Sequence, residues 1–535
     1  MFNALIHKPS AKELNRILQL PKRDAEKSGI ELQHQMTELL RSTNGTMKLR
    51  PNQALAIYES YEYRGALLFF AVGTGKTLVT YLICSFYELM DDRNVRGCLL
   101  LPANLAKKTN REFSHFTSHW LSPSNISIIH YDALSRNPNL LHEIKPDILI
   151  CDEAHRLSNK RSAVTRRVER YLRKNGETVF VGMSGTLVKR SIRDWHHLSQ
   201  WALPSQLQCL PLTYHDIESW CAALDEKPRY RTGLGALKKI GRTRKEILKN
   251  LSKRFRETPG IIMCSKNSDL PKLYIITKLI ENYTIQYYAD YIREYWRTPS
   301  GTDFILALDL YRHMREISQG FVYEWTEIPP QNWVNARYDF NHFIHKKLSR
   351  SRTLDTVTQT TEQYLNNKIV QNWKKIESTY KPKSKANWKS YKYINTTIKH
   401  AHKNTIIWVS HKTVGRHVEK KFGIPYFGLK GLCANGDYVQ DTKSDIICCS
   451  TQSISEGYNL QRFNNNIVTC PPKLGRKWEQ LLGRTHRSGQ KQDVFCTVLG
   501  TIDENFEDFE QAKKDAEYIQ NKTSNKQKLC IGIYQ

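Results

Sequence analysis

The sequence has no Cys-x-x-Cys pair, no apolar run long enough for a bilayer, and few acids for its length. The first absence argues against a metal site built on cysteine. The twelve cysteines are scattered: Cys448 and Cys449 are adjacent, while Cys151 and Cys470 sit in apolar runs. Buried free thiols in a reducing compartment are expected. The longest apolar stretch, GALLFFAVG, is too short to span a membrane, and His7, Lys8 and Pro9 interrupt MFNALIHKPSAKEL before a secretory h-region forms. The expectation is a cytoplasmic chain (host cytoplasm if the source is viral), with nucleoid association open and secretion excluded. Low-complexity tracts are absent, as is any base-reading module such as a zinc finger.

The shortage of acids carries the most weight. Against 81 Lys and Arg stand 52 Asp and Glu, a formal net charge of +29. Such an excess points to a polyanionic partner, with nucleic acid the leading class. Hydrophobic residues at 40% and charged residues at 25% are ordinary for a globular protein. At 535 residues the chain is too long for one core.

What is present repeats. Residues 50–200 alternate short apolar runs with amphipathic stretches. The runs are ALLFFAV (66–72), CLLLP (98–102), ISIIH (126–130), DILIC (147–151) and TVFVGM (178–183). After residue 400 the pattern returns in NTIIWVS (404–410), IPYFG (424–428), DIICCST (445–451), NIVTC (466–470) and VFCTVL (494–499). Continuous apolar runs suit strands of a parallel sheet covered on both faces. Two α/β units are therefore expected, flanking a middle of helical character rich in Lys, Arg, Tyr and Trp. Turn signals at Pro259-Gly260, Pro299-Ser300-Gly301 and Pro329-Pro330 divide that middle.

The stretch FFAVGTGKT lies between a strand and an apolar helix. Gly73 and Gly75, flanking Thr74, let backbone N–H groups approach phosphate oxygens. Lys76 would reach the β- and γ-phosphates, and the Thr77 hydroxyl would bind Mg²⁺. Phe70 stands where the strict loop pattern has its first glycine. Downstream, DILICDEAH places two acids at the carboxyl edge of a buried strand, where open α/β sheets bind ligands. Asp152 would hold Mg²⁺ through water and Glu153 would orient the attacking water. Upstream, LRPNQ offers the Gln53 amide to adenine.

LRPNQ, GTGKT, DEAH, SGT (184–186), ISEGYNL (454–460) and QLLGRTHRSGQ (480–490), in this order, resemble the motifs of superfamily-two helicases. The THRSGQ ending and the Trp195 segment resemble the Swi/Snf-like DNA translocases in particular. REISQGFVYEW (315–325), GIPYFG, residues 465–490 and DAEYIQNKTSNKQKL (515–529) are similar to a compact form of that family found in bacteriophages and prophages. The likeness covers about residues 48–530. Two departures stand out: Leu187 follows SGT where the family has proline, and Phe70 precedes the loop where a small or acidic residue is usual.

The resemblance implies an α/β fold of two RecA-like parallel-sheet lobes (a P-loop NTPase) with largely helical insertions, ATP and Mg²⁺ between the lobes, and DNA across them. The expected division is a polar, helical extension at 1–47, a first, ATP-binding lobe at 48–204 and a mostly helical basic and aromatic insertion at 205–400. A second lobe follows at 401–512 and a C-terminal tail or brace at 513–535. Arg484 and Arg487, read as sharing one helical face behind Gln480, would meet the γ-phosphate on lobe closure, with Gln480 near the attacking water. Arginine keeps its charge and spreads donors over equatorial oxygens. His155, Ser184 and Thr186 in the first lobe, and Gly457 and Asn459 in the second, would couple closure to hydrolysis.

For the polyanion, residues 238–256 hold nine Lys and Arg against the single acid Glu246. Of these, Lys238, Lys239, Arg242 and Arg244 are the chosen phosphate contacts, with HKKLSRSR (345–352) a second basic run. Phosphate contacts position a duplex without reading its sequence. The aromatic stretch YYADYIREYW (287–296) is read as packing against a neighbouring helix, in preference to stacking bases. The expected activity is a DNA-dependent ATPase that converts ATP to ADP and phosphate to move along duplex DNA. A strand-separating helicase on DNA or RNA shares every nucleotide motif. An ATP-switched clamp with little turnover has small need of Glu153, Arg484 and Arg487. The sequence assigns no protein partner and no membrane.

Overall fold

The computed structural model describes residues 8–70, 73–185, 191–225, 228, 230–264, 270–304, 307–350, 357–455, 457–487, 489–523 and 526–535. The chain divides into two units, Met1–Leu270 with Lys513–Ile531, and Pro271–Ala512 with Gly532–Gln535. No described helix is long and apolar enough to cross a membrane.

The first unit is built on strands β1 (Gly65–Phe70), β2 (Arg96–Leu101), β3 (Asn125–His130), β4 (Ile148–Asp152), β5 (Val179–Met183) and β6 (Ile261–Cys264). All are parallel, in the order β3-β2-β4-β5-β1-β6. Every residue of β1 and β5 is buried, as a sheet covered on both faces requires. The period-two pleat sorts β1 between two cores. Leu67 and Phe69 join Trp195, Trp220 and Phe255 on one side, and Ala66, Leu68 and Phe70 join Val79, Leu82 and Ile150 on the other. Phe70 is thus the last core residue of the strand, which accounts for its departure from the strict loop pattern. Leu68 and Asp152 both pair with Met183, so β1, β4 and β5 end together at one carboxyl edge.

The described part of the N-terminal segment belongs to this unit. Leu14 and Ile17 of helix Ala11–Gln19 enter the first core, and Met36 and Leu40 of helix Ala25–Leu40 enter the second. At the other end of the sequence, Tyr518 packs on the first core and donates its hydroxyl to Asp225 Oδ1 at 2.8 Å.

The second unit carries β7 (Leu273–Leu279), β8 (Phe321–Trp325), β9 (Ser384–Trp388), β10 (Thr405–Val409), β11 (Tyr426–Phe427), β12 (Ile446–Ser450), β13 (Asn465–Val468), β14 (Val494–Gly500) and β15 (Ile533–Tyr534). Seven form a parallel sheet in the order β11-β12-β10-β13-β14-β7-β15, and β8 pairs antiparallel with β9. Helices Gln331–Arg350, Val357–Gln363 and Lys368–Ile376 accompany a small core of their own, centred on Trp333, Phe340, Val370 and Trp373. Both lobes are RecA-like.

All ten strands read from the sequence are present. The stretch 205–400 is helical in most of its length, yet it gives β6 to the first sheet and β7 to the second. Its helices divide in the same way. Helices Tyr214–Leu224 and Arg244–Arg256 build the first core, whereas Tyr283–Tyr295 and Ala307–Ile317 pack in the second unit.

Arg254 shows how one cation can be structural inside a basic run. It is 4% exposed, and its guanidinium donates to Ile17 O (2.9 Å), Leu20 O (2.6 Å), Pro21 O (3.1 Å) and Thr258 Oγ1 (3.1 Å). Ile17 O also takes the Leu20 N–H at 3.4 Å, whereas the Leu20 and Pro21 carbonyls lie past the end of helix Ala11–Gln19, where no intrahelical donor remains. Arg254→Met would orphan them while keeping the volume. An unsatisfied buried acceptor costs roughly 1–3 kcal/mol, so the first unit should lose about 3 kcal/mol in denaturant unfolding. A loss below about 0.5 kcal/mol would mean that water replaces the guanidinium.

Candidate nucleotide site and basic surface

Two glycines shape the loop after β1. Gly73 and Gly75 have φ of +87° and +86°, the left-handed region that suits residues without a Cβ. A Cβ on Gly75 would also lie 2.2 Å from Gln53 Nε2. Helix Lys76–Asp91 starts immediately after Gly75, and a helix N-terminus at this place suits an anion. Gln53, 5% exposed, holds this loop from behind. Its Nε2 donates to Thr74 O at 3.1 Å, and its Oε1 accepts the Arg50 N–H at 2.9 Å in the capping box of helix Pro51–Glu62. The amide expected to face adenine is therefore engaged at both ends within the protein.

Lys76 reaches across to the end of β4. Its ammonium lies 3.4 Å from Glu153 Oε1 and 4.0 Å from Asp152 Oδ1. Glu153 Oε2 accepts the Ser184 hydroxyl at 3.2 Å and pairs with His155 Nδ1 at 3.2 Å, and that nitrogen is 3.1 Å from Ser184 Oγ. Burial alone would raise both acids. For Glu153, Lys76, His155 and Ser184 together outweigh it and hold the carboxyl well below its ordinary value. Asp152 shares the same cation and also faces Glu153, so burial prevails and pushes it up to about 6. Glu153 adopts φ +53°, a left-handed conformation rare for a residue with a Cβ. The structure thus brings together Lys76, Asp152, Glu153, His155 and Ser184, with Thr77 on the first turn beside them. Thr186 lies outside the described residues.

The donor set suits Mg²⁺, a hard ion that takes a carboxylate, a hydroxyl and phosphate oxygens. Asp152 and Thr77 are the residues that would hold it, and the ion would neutralise charge on transferring phosphates.

In the second unit the helix Gly475–Leu482 ends before Arg484. Arg484 and Arg487 therefore lie on the following turn, which corrects the reading of one shared helical face. Gly483 caps the helix, and a Cβ there would meet Glu479 O at 2.6 Å. Arg484 is 4% exposed and donates to Gln480 O (2.9 Å) and Tyr458 O (3.0 Å), tying this turn to the ISEGYNL segment. In that segment Gly457 has φ +87° and Asn459 is exposed. Arg487 is half-buried. Gln480 is 4% exposed, yet neither end of its amide has a hydrogen-bond partner among the described residues. The sequence reading passed over Gln490, whose Nε2 donates to Gln461 O, Phe463 O and Thr485 O. It also missed His486, which bonds Pro271 O at 2.7 Å. No strand or helix period marks such backbone-directed polar groups.

Lys238, Lys239 and Arg242 are exposed, on the short helix Gly235–Ile240 and just after it, and Arg244 opens helix Arg244–Arg256 half-buried. Lys245, Lys249, Lys253 and Arg256 are exposed on the same helix. The second basic run falls partly outside the described residues. The aromatic stretch follows its reading in part, since Tyr288 and Tyr291 pack against the core of the second unit. Ile285, Ala289 and Ile292 carry the packing of their helix, while Tyr287 and Tyr295 are 66% and 52% exposed.

Residues 46–189 match the family model described as "Type III restriction enzyme, res subunit". This match covers the stretch that holds LRPNQ, GTGKT, DEAH and SGT, and it agrees with the superfamily-two likeness of those motifs. Among solved structures the chain is similar to the Sulfolobus solfataricus SWI2/SNF2 ATPase core in complex with dsDNA. That match is at 16% identity over 89% of this chain and 97% of that one, with a TM-score of 0.33. No curated protein matches the sequence.

Ser184→Ala removes one of the hydrogen bonds that hold Glu153 ionised and oriented. Hydrogen bonds to charged groups are worth roughly 1.5–3 kcal/mol, so ATP turnover should drop about tenfold or more while nucleotide affinity changes little. Single-turnover and equilibrium binding measurements separate the two; unchanged turnover would make Ser184 a mere turn residue.

Proposed function

We propose that the protein is an ATP-driven translocase of the Swi/Snf-like kind that moves along duplex DNA, hydrolysing ATP to ADP and phosphate. The observation that carries this reading is the ion cluster of Lys76 with Asp152 and Glu153 at the carboxyl edge of the first sheet. On binding, ATP phosphates would draw Lys76 away from the acids, leaving Asp152 for Mg²⁺ and Glu153 for the attacking water. His155 and Ser184, bonded to Glu153, would transmit changes at the following loop to that carboxylate. In the second lobe the buried, unpartnered amide of Gln480 supports a ligand-facing role, since such groups rarely go unsatisfied without one. Arg487 is the preferred arginine finger, because it is half-buried and keeps surface open to a ligand, whereas Arg484 is 4% exposed. Lys238, Lys239, Arg242 and Arg244 would contact DNA phosphates.

ATPase rates measured side by side with duplex DNA, single-stranded DNA and RNA test the proposal. Duplex should stimulate most, Lys76→Ala should abolish the activity, and strand-displacement assays should show no unwinding. Strand release coupled to hydrolysis would favour the helicase reading, and no stimulation by any nucleic acid would end both. Arg487→Ala should lose most of the stimulated rate with DNA affinity intact, and Arg487→Lys should recover little of it.

The basic surface has its own test. Replacing Lys238, Lys239, Arg242 and Arg244 by Ala should weaken DNA binding regardless of sequence and flatten the salt dependence of log K by up to about 0.9 per lost contact. An unchanged slope would return these side chains to a solvated surface.

A further inference from the structure

The second unit contains a cavity of about 620 Å³ that plays no part in the chemistry above. Its walls come from the 298–304 loop, helix Ala307–Ile317, the ends of β8 and β9, helix Gln331–Arg350 and His411. The REISQGFVYEW segment, which the nucleotide chemistry leaves without a role, supplies Glu316, Tyr323 and Trp325 to the lining.

Three features define what would fit. The first is flat apolar surface: Phe304, Tyr323, Trp325 and Trp333 line the space, and Phe304 is stacked on His313 at 4.8 Å with an interplanar angle of 11°. The second is a pair of arginines at the mouth, which stand among the acids Asp303 and Asp309. Arg337 is exposed with its guanidinium 5.2 Å from the centre of the Trp333 ring, and Arg312, also exposed, is held near His313 Nε2 and Glu316. The third is a polar group that lacks a partner inside. His411 Nε2 is buried with no hydrogen bond among the described residues, and burial lowers its imidazole to about 4, so the ring is neutral. The other buried polar groups of the lining satisfy one another: His313 Nδ1 lies 2.8 Å from Glu316 Oε2, which also accepts the Tyr323 N–H.

A planar heterocycle with a hydrogen-bonding edge and an attached phosphate matches all three. Aromatic faces take the ring, the neutral imidazole meets its edge, and an arginine fork takes the phosphate. A volume of this size is in the range of small-ligand sites and exceeds what one base needs. We infer that this cavity is a nucleotide-base pocket separate from the ATP site, and that its occupant is a base turned out of the stack of the bound nucleic acid, which needs no separation of the strands. The inference takes its ligand class in part from the nucleic-acid reading, so its test uses no ATP hydrolysis.

The experiment measures binding of an oligothymidylate strand, an abasic strand of equal length and charge, and free thymidine monophosphate to the whole chain. Wild type is expected to prefer the thymidylate strand. Base–aromatic stacking corresponds to roughly a five- to hundredfold affinity change per base. Trp325→Ala should erase that preference, Trp325→Phe should keep most of it, and Arg337→Gln should weaken the thymidylate strand and the free nucleotide together. Thermal unfolding of each variant shows whether the lobe remains folded, and Arg337 on the surface gives a readout that does not depend on Trp325 being tolerated. Monophosphate binding that is lost in Trp325→Ala, without a preference between strands, supports the pocket but assigns it to free nucleotides. Equal affinity of wild type for both strands, with no monophosphate binding, overturns the assignment while leaving the translocase reading standing. Failure of both strands to bind overturns the assignment as well, and failure of a duplex control beside them would sink the nucleic-acid reading itself.

Discussion

One ammonium group serves two carboxylates at the edge of the first sheet, and much of the local structure is arranged to put it there. Lys76 depends on a loop with two left-handed glycines, on Gln53 behind that loop, and on a helix that begins one residue after the second glycine. Asp152 and Glu153 depend on β4 lying one strand from β1, with β5 between them and the register of all three fixed by Met183. A shift of one residue in any of these strands would exchange the cores on the two faces and move the acids out of reach. The packing of the sheet and the geometry of the site are therefore one constraint.

That constraint makes the pair unequal. With Lys76 shared, Glu153 collects His155 and Ser184 as further partners and stays ionised, whereas the Glu153 N–H and the weaker pull of Lys108 do not offset burial at Asp152, which is pushed up. A divalent ion would restore the balance on the Asp152 side, because metal charge reverses the cost of burial. The two adjacent acids are thus distinguished before any ligand arrives.

Much of this was legible in the sequence, for reasons that can be named. The ten strands announced themselves as continuous apolar runs, and GTGKT and DEAH carry their chemistry in consecutive residues. Strand β6 is only four residues long and β7 ends in Thr277, Lys278 and Leu279, so neither gives a clean period, and the region 205–400 reads as helical. Arg254 could not be told from its neighbours because charge says nothing of burial. The dual engagement of Gln53, the turn that carries Arg484, and the grip of Gln490 on three carbonyls all depend on backbone brought in from elsewhere in the sequence. The exposed tyrosines of helix Tyr283–Tyr295 misled in the opposite sense. Aromatic residues suggest a core, and here Tyr288 and Tyr291 join one only at its margin, while Ile285, Ala289 and Ile292 are the buried residues of the helix.

Glu153 has a backbone that a glycine would adopt with less strain. For residues with a Cβ the left-handed region costs roughly 1–2 kcal/mol, and here that strain falls on the acid whose carboxylate is held by three side chains. Drift toward greater stability at this position would favour glycine or asparagine and would abolish the carboxylate. On the role proposed for Glu153, the site would sit at a standing conflict between stability and activity, with the glutamate kept at the expense of a relaxed backbone.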